Sequence, residues 1–207
     1  MKKIGIMGGT FNPIHFGHLF LAEYAYEQIG FDKVLFMPSK NPPHKAKPEE
    51  VTDQQRVDMV KLATYNNPHF ELSTMELQRE GFTYTADTLT LLKENYPNTE
   101  FYFIVGTDSL FMMEKWKNPQ TIFDLCIVVV AGRDNANQEE INEHASYLEN
   151  KFNARIMQID MPTIQLASGV IRERIASKQS IRYYVPEAVI EYINKYNLYS
   201  DTPEDAG

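Results

Sequence analysis

The sequence predicts an α/β protein, a doubly wound and mostly parallel sheet with helices on both faces, and three observations carry that prediction. The apolar run Lys3–Met7 passes through Gly8, Gly9, Thr10 and a proline-containing turn into a helix that opens with His15-Phe16-Gly17-His18. Leu19, Ala22, Tyr26 and Ile29 of that helix fall at helical spacing. Val34–Met37 then reads as a second buried strand, so strand, crossover helix and strand form a βαβ unit, which needs a parallel sheet with a right-handed connection. Leu125–Val130 is apolar at every position, as a central parallel strand covered on both faces should be.

The remaining elements follow in order. Gly30 is a natural residue to end the first helix, and Pro38 stops the second strand. Ser39–Glu50 is polar and proline-rich, and brings Lys40, His44, Lys45 and Lys47 to the carboxyl end of a strand, where ligands of open α/β sheets bind. Thr52 and Gln55 fit a capping box for a helix from Asp53 to about Tyr65, and Phe70–Ser73 is a short strand. Thr85 is placed as N-cap of a helix with Leu89, Leu92 and Tyr96 on one side, stopped by Pro97. Glu100–Val105 is the next strand, ending in Gly106-Thr107-Asp108. Gln138–Lys151 reads as an exposed amphipathic helix with Ile141, Ala145 and Leu148 inward, and Ala154–Ile159 as the last strand. Ser168 is expected to cap a further helix, and Pro186 to start the final one, with Val189, Ile190 and Ile193 on its buried side. A single domain over residues 1–199 is expected, helical from about 168, with 200–207 as a disordered tail.

Composition narrows the function. Of 207 residues, 43% are hydrophobic and 23% charged, ordinary values for a globular chain. No apolar run approaches the roughly 20 residues of a membrane span, and no signal-peptide core precedes the first strand, so the cytoplasm is expected. A net charge of −8 argues against duplex nucleic acid as the main partner. The single Cys126 sits in an apolar run and reads as an inert core thiol. Metal-ligand spacings such as C-x-x-C or H-x-x-x-H are missing, so no metal site built from side chains is expected.

The chemistry concentrates in the first eighteen residues. A strand that ends in paired glycines and hands over to a helix start presents backbone N–H groups and the positive end of a helix dipole, which suit a phosphate. Gly8 and Gly9 let a ligand approach the backbone without meeting a Cβ. No glycine is followed by lysine and no G-x-G occurs, which excludes the Walker A loop and the dinucleotide fingerprint. His15 and His18 are three residues apart on a helical turn, so both imidazoles share a face and can meet one anion.

GGTFNPIHFGH resembles the N-terminal signature of the HxGH nucleotidyltransferases, and is closely similar to that of the bacterial nicotinate mononucleotide adenylyltransferases. The resemblance implies a Rossmann-like sheet and transfer of the adenylyl group of ATP to nicotinate mononucleotide, giving deamido-NAD and pyrophosphate. It runs nearly the length of the chain in five ordered motif regions. His15, His18 and Arg172 are implied as catalytic. Gly8, Gly9, Thr10, Phe11, Gly106, Asp108, Arg133, Ser168 and Ile171 are implied on the ATP side. Asn41, His44 and Lys45 of N-P-P-H-K, the helix start at Thr85 and the stacking Trp116 are implied on the nicotinate mononucleotide side. Mg²⁺ is expected to ride on the ATP phosphates. Four positions depart from the family pattern: Met112 replaces a tyrosine, Asp134 a proline, and Ala167 and Gly169 a serine and a threonine. Relatives are often dimers, so a homodimer is implied by analogy. Phosphopantetheine adenylyltransferase, a cytidylyltransferase and a non-catalytic nucleotide sensor are the rival readings. The first is shorter and has no need of the Thr85 and Trp116 features, and intact His15, His18 and Arg172 speak against the third.

Overall fold

Six strands, β1 (Lys2–Gly9), β2 (Lys33–Pro38), β3 (Phe70–Leu72), β4 (Thr99–Val105), β5 (Cys126–Gly132) and β6 (Ile156–Asp160), pair in the order β3-β2-β1-β4-β5-β6. Every neighbouring pair is parallel. The structure is a computed structural model that describes residues 1–40, 51–132, 138–162 and 164–200. The expected α/β, doubly wound architecture is thus present. The chain winds outward from β1 to one edge and, after crossing back to β4, outward to the other, so the strand order reverses between β1 and β4.

Alternation along the strands divides the core into two layers. Met7, Tyr102, Ile104, Ile127 and Val129 face α1 (Phe16–Ile29), α2 (Asp53–Thr64), α7 (Ser168–Ala176) and α8 (Glu187–Lys195). Ile4, Ile6, Phe101, Phe103, Val105, Val128 and Val130 face α3 (Thr85–Asn95), α4 (Thr107–Met112), α5 (Pro119–Leu125) and α6 (Gln138–Phe152). Each large side chain buried this way contributes roughly 1.5–3 kcal/mol, which is what closes helices over both faces. Cys126 is buried, and burial pushes its thiol up to about 12, in keeping with an inert core thiol. Among the described residues no helix is long and apolar enough to cross a membrane.

Several boundaries carry their expected causes. Gly30 adopts φ 71 at the end of α1, and its N–H bonds the Tyr26 carbonyl. Thr52 and Gln55 form the reciprocal capping box of α2. Ile141, Ala145 and Leu148 are the buried residues of α6. Others differ. Thr85 and Ser168 are the first helical residues rather than caps; Tyr84 and Ala167 occupy the N-cap positions, and neither caps through its side chain. The Ser168 hydroxyl is spent elsewhere, donated to the Pro13 carbonyl at 2.9 Å. Helix α5 was not anticipated: its seven residues run directly into β5 with no intervening breaker, so periodicity alone does not separate them. Of the tail expected over 200–207, Ser200 is described and donates its hydroxyl to the Asn197 carbonyl at 2.9 Å, while residues 201–207 lie outside the described residues.

Candidate active site

The carboxyl ends of β1 and β4 meet where the strand order reverses, and the crevice outside such a point is where open α/β sheets bind ligands. A cavity of about 460 Å³ opens there, lined by Gly8, Gly9, His15, His18, Gly106, Asp108, Ala131, Trp116 and Ser168, with Met161, Pro162, Ile164 and Leu166 also in its wall. A second lobe of about 280 Å³ is lined by Thr10, Ser39, Glu76, Tyr84, Thr85, Thr88 and Lys117. Gly8, Gly9, Phe103, Ser109 and Trp116 belong to both, so the two lobes share the glycine turn as a common wall.

His15 and His18 stack with ring centroids 3.7 Å apart and 23° between planes. His18 Nδ1 accepts the backbone N–H of His15 at 3.3 Å, and the Phe11 ring stands edge-on to His18 at 5.1 Å. Burial lowers the pKa of His15 to about 4, while burial and then the neighbouring His15 hold His18 well below the usual histidine range. Both rings are therefore neutral at pH 7. With Nδ1 of His18 serving as acceptor, its proton belongs on Nε2, which makes His18 a hydrogen-bond donor in the cavity wall. Gly17 completes the arrangement, because a Cβ there would lie 3.0 Å from Nδ1 of His15. That Nδ1 is buried and has no hydrogen-bond partner among the described residues.

The carbonyls of the loop before the histidines are held by donors from distant segments. Arg56 Nη1 donates to the Thr10 carbonyl at 2.6 Å, Arg172 Nη1 to the Asn12 carbonyl at 2.7 Å, and Ser168 to Pro13. Arg56 is 0% exposed and also donates to the Ser39 carbonyl at 2.7 Å and to Asp53 at 2.6 Å, so one guanidinium ties the ends of β1 and β2 to the start of α2. The Tyr199 hydroxyl donates to Asn12 Oδ1 at 2.5 Å, and the Phe16 N–H to the Tyr184 carbonyl at 3.0 Å.

In the smaller lobe Trp116 stands perpendicular to Phe103, with centroids 6.1 Å apart. The amino end of α3 forms part of the wall through Thr85 and Thr88, and its dipole favours an anion. Lys117 Nζ lies 4.1 Å over the Tyr84 ring and 3.9 Å from the Asp87 carboxylate. Glu76 accepts the Thr88 hydroxyl at 2.8 Å, and burial raises its carboxyl above the ordinary range. Arg79 bonds Asp87 and Thr88 at 3.2 Å each. Lys40, from the basic loop, donates to the Arg79 carbonyl at 2.9 Å.

Gly8, Gly9, His15, His18, Gly106, Asp108, Trp116 and Ser168 come together around the larger lobe, and Thr10, Thr85 and Trp116 around the smaller. Phe11 and Ile171, implied as ATP contacts, are 2% and 0% exposed and line neither lobe; Phe11 supports His18, and Ile171 packs in the core. Arg172, implied as catalytic, lines neither lobe and donates to the Asn12 carbonyl. Asn41, His44, Lys45, Arg133 and Asp134 lie outside the described residues. Met112 is exposed and away from both lobes, whereas Ala167 does line the larger one. Arg56, Glu76, Lys117 and Tyr199 were not anticipated. Arg56 did carry a signal, an arginine on the face of α2 that also holds Val57, Met59 and Val60.

The cytidylyltransferase-like family profile matches residues 6–183. A relative from Lachnoclostridium phytofermentans named "Probable nicotinate-nucleotide adenylyltransferase" is 48% identical over 199 residues, 96% of this chain and 100% of the relative. One of the same name from a Thermoanaerobacter species is 40% identical over 98% of this chain and 97% of its own length. Among solved structures, the Plasmodium falciparum nicotinic acid mononucleotide adenylyltransferase complexed with NaAD superposes with a TM-score of 0.80 at 21% identity, over 98% of this chain and 99% of that one, a likeness of fold. The chain belongs to the cytidylyltransferase-like family and, within it, to the nicotinate-nucleotide adenylyltransferases.

Proposed function

We propose that this protein transfers the adenylyl group of ATP to nicotinate mononucleotide, forming deamido-NAD and pyrophosphate, a step of NAD biosynthesis. The observation that carries this reading is the stacked His15–His18 pair at a glycine turn shared by two lobes, an arrangement suited to two nucleotides that meet at one phosphorus. Relatives at 48% and 40% identity bear the name of this activity.

The reaction needs alignment and charge neutralisation more than it needs a nucleophilic side chain. An oxygen of the mononucleotide phosphate attacks the α-phosphorus of ATP in line, and the bond to the pyrophosphate oxygen breaks, with no covalent enzyme intermediate. His18, through Nε2–H, donates to the α-phosphate oxygen as negative charge builds there, and the neutral His15 ring stacked on it holds its plane. Helix α7 presents its amino end to the cavity at Ala167 and Ser168, where a departing pyrophosphate is stabilised by the dipole. Arg172 holds the Asn12 carbonyl through Nη1, and its remaining guanidinium N–H groups are proposed to meet the departing pyrophosphate. In the smaller lobe Trp116 offers a stacking face for the pyridine ring, and the start of α3 with Lys117 favours a carboxylate over a carboxamide.

Among the described residues no three His, Cys, Asp or Glu side chains group closely enough to cage a metal ion. The Mg²⁺ of the proposal is carried by the ATP phosphates, where it neutralises charge on the leaving group. A cytoplasmic location and a homodimer complete the proposal, and sedimentation reads out the latter. Pyrophosphate release, measured with ATP or CTP against nicotinate or nicotinamide mononucleotide, tests the reaction. ATP with the nicotinate form is expected to be the fastest pair, and absence of turnover with it would sink the reading.

A further inference from the structure

We propose that Tyr199 is a positioning residue for adenylyl transfer, fixing through Asn12 the loop that carries His15 and His18; the reaction named here rests on the function proposed above. Tyr199 follows α8, is 5% exposed and has φ 65, so an uncommon left-handed backbone aims its ring inward. Its hydroxyl donates to Asn12 Oδ1 at 2.5 Å across 187 residues of sequence. Arg172 holds the main-chain carbonyl of the same asparagine across 160 residues. Side chain and main chain of Asn12 are thus fixed by two donors from two different segments.

Little freedom remains between that anchor and the histidines. Pro13 has its carbonyl held by Ser168, Ile14 is fully buried, and His15 then donates its N–H to the His18 ring. A shift of Asn12 is passed to both imidazoles, because no unanchored residue lies between them. Displacing a transition-state donor by about 1 Å costs on the order of 100-fold in rate. The mononucleotide lobe takes none of its wall from Asn12 or Tyr199, so its affinity should be insensitive to the bond.

Tyr199→Phe keeps the ring in the core and removes the hydroxyl alone. The expected result is a kcat lowered roughly 10- to 100-fold, with the KM for nicotinate mononucleotide within about twofold of the parent. In a ¹H–¹³C spectrum of the histidine Cε1 positions, the His15 and His18 resonances should move while those of His69 and His144 stay. Tyr65→Phe, at an exposed position, should change neither rate nor spectrum. Asn12→Ala removes the acceptor instead; it should reproduce the loss of kcat, the double variant should lose no more than either single one, and it carries the same readouts if Tyr199→Phe does not fold. A kcat within twofold of the parent overturns the proposal, as does a fall in kcat with the His15 and His18 resonances unmoved, since Tyr199 would then be a stabiliser only. If the parent enzyme itself shows no transfer, the proposed function has failed, and the resonances alone still decide whether Tyr199 positions the histidines.

Discussion

His18 accepts the backbone N–H of His15 through Nδ1 at 3.3 Å, and this single contact decides which nitrogen of His18 carries the proton. The ring presents Nε2–H to the cavity without needing a positive charge. His18→Ala is expected to lower kcat by roughly 10²-fold or more, the scale of losing one preorganised donor. Steady-state turnover of ATP and nicotinate mononucleotide measures it, and a variant with near-normal kcat would remove His18 from the chemistry.

The depressed histidines give the fold an acid limb. His15 has a pKa of about 4 when folded, below the ordinary 6.5, so the unfolded chain binds more protons between those values. Stability is then complete above about pH 6.5 and declines as pH falls toward 4, by on the order of 3 kcal/mol from this group. The raised Glu76 carboxyl works in the opposite sense above its ordinary value, so the histidine effect is best isolated by difference. Urea unfolding of the parent and of His15→Asn at pH 7 and pH 5 should give a smaller pH dependence in the variant. Equal slopes would show that His15 does not carry it.

A bound triphosphate would set negative charge beside these rings, opposing the desolvation that keeps them neutral. ATP binding should raise both histidine pKa values and take up protons near pH 6, visible in calorimetry as a heat that changes with the ionisation enthalpy of the buffer. Binding without proton uptake would place the phosphates away from His15 and His18.

Trp116 borders both lobes, and its plane is fixed by the perpendicular Phe103. Stacking on an aromatic face is worth roughly 1–3 kcal/mol per base, so Trp116→Ala should raise the KM for the mononucleotide by about 5- to 150-fold and affect kcat less. Trp116→Phe should fall between. An unchanged KM would reduce Trp116 to a packing residue.

Arg56 joins the Thr10 and Ser39 carbonyls to Asp53 from a fully buried position. Arg56→Met leaves two carbonyls without that donor and should cost about 2–5 kcal/mol in denaturant unfolding, with Arg56→Lys intermediate because an ammonium lacks the planar fork. A loss under 1 kcal/mol would mean that the loop ends find other donors.

What the sequence revealed follows how local each cause is. The Gly30 terminus, the Thr52–Gln55 box and the inward face of α6 are set by residues within a few positions of one another, and each is legible from spacing. The cap expected of Ser168 failed because its hydroxyl is claimed by Pro13, 155 residues away. Arg172 follows the same pattern: its bond to the Asn12 carbonyl joins residues 160 positions apart, which no local spacing reveals. Tyr199 is invisible for this reason too, since nothing near it in sequence tells of Asn12. Lining residues on the strand ends were easier to see, because glycines and polar residues after an apolar run mark the open side of a sheet.

The ties at Asn12 and Pro13 set an order of events during biosynthesis. The ribosome delivers the histidine turn before its tethers from Ser168, Arg172 and Tyr199. A nascent polypeptide arrested within α8 already has every described strand and both imidazoles, yet lacks the tyrosine that holds Asn12. With the positioning role proposed for Tyr199, competence waits for residue 199, behind every strand of the described sheet.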